Sequence, residues 1–146
     1  MTNGLPSLSM RRETIDRIIF ILAAAFNLIT AAILVFKPEI TLARLEITDI
    51  SARLLARSMA SSVTTWGIAY ALVAANPRRF RDFAWLGAIS KTIFAMVYAV
   101  ALLNNQVRPL ACIPALIDLI FAVLFVRFLW HTRKAREIKQ GEPKVL

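Results

Sequence analysis

The sequence predicts an all-α fold: an integral-membrane, antiparallel four-helix bundle with a short amphipathic segment between the first and second helices. Three observations predict it. Apolar residues gather in four blocks, 18–36, 54–75, 83–103 and 110–130. Each is close to the roughly 20 residues that span a hydrocarbon core of about 30 Å. Basic residues crowd both ends of the chain and the turn between the second and third blocks. The connections are too short for a soluble domain, so residues 1–146 are expected to form one four-span domain with a basic tail at 131–146. A soluble bundle would need a polar stripe on every helix, and residues 18–35 offer only Asn27 and Thr30.

The net charge of +9 invites a nucleic-acid reading. Its distribution argues against one. Arg11, Arg12 and Arg17 precede the first block, and Arg78, Arg79 and Arg81 fill the turn after the second. Arg127, Arg133, Lys134, Arg136, Lys139 and Lys144 accompany the end of the fourth. The first connection offsets its few basic residues with Glu39, Glu46 and Asp49. This is the positive-inside pattern. It places both termini and the 76–82 turn in the cytoplasm, with membrane lipids rather than nucleic acid as partners.

Each element follows in order. Residues 1–10 predict a loose lead-in, and Thr14 or Asp16 can cap the first helix. The first apolar run is longer than a signal-peptide core and predicts a retained helix. Pro38 ends it and fits the first turn of a following helix. Residues 39–50 mix apolar and charged positions, which predicts a short amphipathic helix on the outer membrane face. Their imperfect periodicity leaves an extended segment open. Thr48, Asp49 and Ser51 form a polar break that can cap the second long helix. In that helix Arg57, Ser61, Thr64 and Ile68 share a face, with Ala60, Gly67 and Ala71 beside them. Small and hydroxyl side chains at this spacing allow close helix packing, and they also suit a polar cavity wall. The third long helix starts near Asp82. The fourth opens at Pro109, and after Trp130 a short helical extension frays into the basic cytoplasmic tail.

Lys91 and Asp118 stand near the middle of the third and fourth blocks. A charge at mid-bilayer costs several kcal/mol, so it faces a partner or a cavity. At about 1.5 Å per residue, the two lie about 12 and 18 Å from the inner surface, one turn apart. Short loops make these helices antiparallel neighbours, so a direct or water-mediated pair is expected. Its role is either a structural ion pair that fixes register or part of a ligand site. Tyr98 and Asn27 are the candidate polar neighbours.

Missing chemistry narrows the function. Cys112 is the only cysteine, so neither an internal disulfide nor a CxxC pair exists. His131 is the only histidine and falls at the cytoplasmic helix end, which leaves no histidine pair for haem or metal. There is no Gly-rich phosphate loop and no HExxH. The residues identify no cofactor.

The order of a helix ending at Pro38, an amphipathic stretch, Ser51-Ala52-Arg53-Leu54-Leu55-Ala56-Arg57, a small-residue helix with Gly67-Ile68-Ala69-Tyr70, a basic turn and a helix carrying Lys91 resembles the DoxX-like superfamily of small bacterial four-helix membrane proteins. The resemblance covers roughly residues 18–130. It implies a bacterial inner-membrane location and a fold more than an activity. Some members are linked to quinol oxidation or to redox partners, and the lack of a cysteine pair here argues against thiol-redox variants.

The resulting expectation is a non-enzymatic inner-membrane protein, an accessory or structural subunit. It is expected to associate with other subunits or itself through Phe121, Phe125 and Phe128 and the small-residue face of the second helix. The alternative is a protein that binds or transfers a small amphipathic ligand, such as a quinone or lipid, in a pocket walled by Arg57, Ser61, Thr64, Lys91, Tyr98 and Asp118.

Overall fold

The computed structural model describes the backbone of residues 8–141 and the side chains of Met10 and 12–132. The lead-in before Leu8, the end of the tail past Gly141 and the tail's basic side chains lie outside the described residues. Helices form on the apolar blocks: α1 (Leu8–Phe36), α2 (Pro38–Arg44), α3 (Ser51–Ala75), α4 (Arg81–Leu103) and α5 (Ile113–Gly141), the last entered through a 3-10 turn at Pro109–Cys112. There is no strand among the described residues.

Three segments are long and apolar enough to cross a membrane: Arg12–Phe36, Arg81–Leu103 and Pro109–Thr132. The expected second span lies in α3, which has the length at 25 residues but does not join them. Arg53, Arg57 and a run of serines and threonines from Ser58 to Thr65 lower its apolarity. By length and composition, three spans rather than four therefore qualify among the described residues.

The long helices pair as two hairpins, α1 mainly with α3 and α4 mainly with α5. Gly67 permits the first pairing. A Cβ there would stand 2.8 Å from Leu28 Cδ2 and 3.4 Å from the Leu28 nitrogen. Toward one end, Ala31 and Leu34 of α1 pack on Ala56 and Ala60 of α3. The larger core joins both hairpins. Phe20 stacks on Phe125 at 4.6 Å and meets Phe128 edge-on at 5.1 Å, with Tyr70 and Val73 closing the cluster. This corrects the expected association face. Phe125 and Phe128 are 0% and 1% exposed, and Ala60 and Gly67 are buried, so these residues serve the internal core.

Local chemistry explains the ends. α1 starts at Leu8, so Thr14 and Asp16 lie inside it rather than at its cap. The Thr14 hydroxyl donates to the Met10 carbonyl. The amphipathic stretch is helical only to Arg44, and Glu46 at φ 58° breaks it. Ile50 stands at the N-cap of α3 without a side-chain cap bond, and Asp49 before it accepts the Ser51 amide at 2.9 Å and the Ser51 hydroxyl at 2.7 Å. These bonds hold the Asp49 carboxyl below the usual carboxylate range. Across the loops, Glu46 pairs with Arg108.

The opposite end of the bundle is basic. Arg78 approaches Glu13 at 3.9 Å, Arg81 donates to the Leu129 carbonyl at 3.0 Å, and Arg12, Asp16, Arg127 and His131 share a cleft. Residues 12–16 of α1, the turn before α4 and residues 127–131 of α5 therefore lie at one level.

Candidate functional site

Lys91 is 3% exposed and sits where the hairpins meet. Its ammonium pairs with the Asp118 carboxylate of α5 and donates to Asn27 Oδ1 of α1 at 3.4 Å. Asn27 is itself buried, so an amide that would be costly without a partner is satisfied by this charge. Three rings complete the enclosure. Lys91 Nζ lies 5.3 Å from the Tyr70 centroid, 5.4 Å from Phe121 and 5.9 Å from Phe26. These are cation–π distances, and such contacts strengthen when the cation is desolvated.

Tyr70 reaches this position because α4 carries Gly87 opposite it, one turn before Lys91. Any side chain at 87 would occupy the space of the Tyr70 ring. All four long helices thus contribute: Asn27 and Phe26 from α1, Tyr70 from α3, Lys91 from α4, and Asp118 and Phe121 from α5.

The structure brings together the expected pair and the expected neighbour Asn27. Arg57 is exposed, 13 residues before Tyr70 and so about 20 Å along α3. The Ser61 hydroxyl donates to the Ser58 carbonyl at 2.7 Å, and that of Thr64 to Ala60 at 2.7 Å, so both bond to their own helix. Tyr98 is half-buried and packs on Phe94 at 4.8 Å between centroids. Sequence reasoning missed Tyr70, Phe26 and Phe121. Gly87, at four residues' spacing from Lys91, was the available signal, because a helical glycine often marks a close approach.

Chemically, the arrangement holds a lysine ammonium in a buried, fixed place. It offers the ammonium one carboxylate, one amide oxygen and three π faces. No group of three His, Cys, Asp or Glu suited to a metal occurs among the described residues. Comparison with protein-family models, with curated proteins and with solved structures returned no match.

Proposed function

We propose that this chain is a non-enzymatic, multi-pass protein of the bacterial inner membrane that works as an accessory or structural subunit, with both termini in the cytoplasm. The observation that carries the subunit reading is the outer face of α3. Ser58, Ser61, Ser62 and Thr65 are exposed there, on the one long helix that lacks the apolarity of a free-standing span. Small and hydroxyl side chains at helical spacing favour close approach of another helix. With such a partner α3 is the fourth span of the bundle. The levelling of Arg12, Arg78, Arg81 and Arg127 at one end supports the orientation. The DoxX-like resemblance supports the location.

The enclosure of Lys91 favours an internal lock over a ligand site, because the groups that would meet a quinone or lipid already meet one another. Purification in mild detergent followed by mass measurement tests the proposal. A companion protein or a second copy is expected, lost when Ser58 and Ser62 are changed together to Leu. A strictly monomeric particle would sink the subunit reading.

A further inference from the structure

The basic end holds a second polar constellation that the Lys91 lock does not use. Arg12 and Asp16 of α1 are four residues apart and share a face, as do Arg127 and His131 of α5. The two pairs, with Ile15, line a cleft between these antiparallel helices. Among the described residues, neither Arg12 nor Arg127 has an ion-pair partner within 4 Å. The nearby carboxylate Glu13 is engaged by Arg17 at 3.0 Å and Arg78 at 3.9 Å. Trp130, next to His131 in sequence, is 73% exposed, as interfacial aromatics that anchor a helix are. Deeper along the same helices, Leu22, Ile120 and Val123 present exposed apolar surface.

We propose that this cleft binds the phosphate of an anionic phospholipid at the cytoplasmic leaflet, a proposal that rests on the membrane orientation given above. Two guanidiniums from different helices form forks that match phosphate oxygens, and basic pockets between helices on the cytoplasmic side suit anionic headgroups. Asp16 sets the selectivity. Its carboxylate offsets part of the charge of Arg12 and Arg127 and repels a phosphomonoester dianion about twice as strongly as a phosphodiester monoanion. The Asp16 carboxylate is also placed to accept from a headgroup hydroxyl, as in phosphatidylglycerol. The acyl chains lie along Leu22, Ile120 and Val123.

The test uses the full chain in phosphatidylcholine nanodiscs containing phosphatidylglycerol, with retained lipid counted by native mass spectrometry. Arg12→Gln with Arg127→Gln is expected to lower retention about tenfold, the loss of charge-assisted hydrogen bonds. Arg78→Gln with Arg79→Gln, at the same end but outside the cleft, is expected to leave it within about twofold. Asp16→Asn is expected to fold and to raise retention of phosphatidic acid relative to phosphatidylglycerol, so the proposal stands open to test even where the double arginine variant fails to fold. Equal losses in both arginine variants would reduce the effect to general surface charge and overturn the site. Displacement of the lipid by inorganic phosphate at equal concentration would overturn the lipid assignment. Alkaline carbonate extraction separates the two failures. Wild-type chain in the membrane pellet without selective retention removes the site alone, whereas chain in the supernatant removes the membrane placement and the site with it.

Discussion

Tyr70 lies so close to Gly87 that a Cβ at position 87 would come within 2.6 Å of its Cε1 and 2.8 Å of its hydroxyl oxygen. Tyr70 is 1% exposed and packs on Phe125 at 5.0 Å and Trp66 at 5.8 Å, so it has nowhere to retreat. The glycine is what lets an aromatic face from α3 reach the ammonium on α4.

Gly87→Ala should therefore destabilise the protein by about 1–3 kcal/mol through overpacking, partly offset by about 1 kcal/mol of helix propensity. Gly67→Ala should cost less. Its neighbour Leu28 is 41% exposed and can turn aside. Thermal unfolding in one detergent ranks the two, and an equal or reversed order would show that Tyr70 is not fixed.

Lys91→Met should cost about 3–5 kcal/mol, because it strands the Asp118 carboxylate away from water. Adding Asp118→Leu should recover most of that loss. Unfolding free energies of the two single variants and the double variant give the coupling energy. A stable double variant that has lost its companion subunit would assign the pair to assembly as well. Additive losses would show that the pair is not coupled.

Reporter cysteines in a Cys112→Ala background should divide by side. Arg78→Cys should react with a membrane-impermeant thiol reagent from the cytoplasmic face, and Gln106→Cys from the outer face. Both residues are exposed. Gln106 is preferred to Asn105, whose φ of 54° asparagine tolerates better than cysteine does. Labelling of Gln106→Cys from the cytoplasm would invert the orientation.

The pairing of Lys91 with Asp118 was legible because two charges at matched depth on neighbouring antiparallel blocks have few other places to go. The aromatic box was not. Hydropathy separates inside from outside only where the outside is water. In a membrane, core and lipid are equally apolar, so nothing in Phe121, Phe125 and Phe128 marks two of them as core. The start of α1 was misplaced for a related reason. Apolarity marks where a span begins, while the helix continues through Arg12 and Glu13 on backbone hydrogen bonds and the Glu13–Arg17 pair. The amphipathic stretch was half legible: Pro38 announces its start, but the left-handed turn at Glu46 has no residue signature there.

The division into two hairpins bears on how the chain is made. The ammonium and its counter-ion belong to consecutive helices, so the charges cancel within the hairpin of α4 and α5. The earlier hairpin carries Asn27, Phe26 and Tyr70 toward the site, all uncharged. Neither half has to wait in lipid with an isolated charge. Docking of the halves therefore adds the amide and the rings of Phe26 and Tyr70 to a salt bridge that α4 and α5 form between themselves.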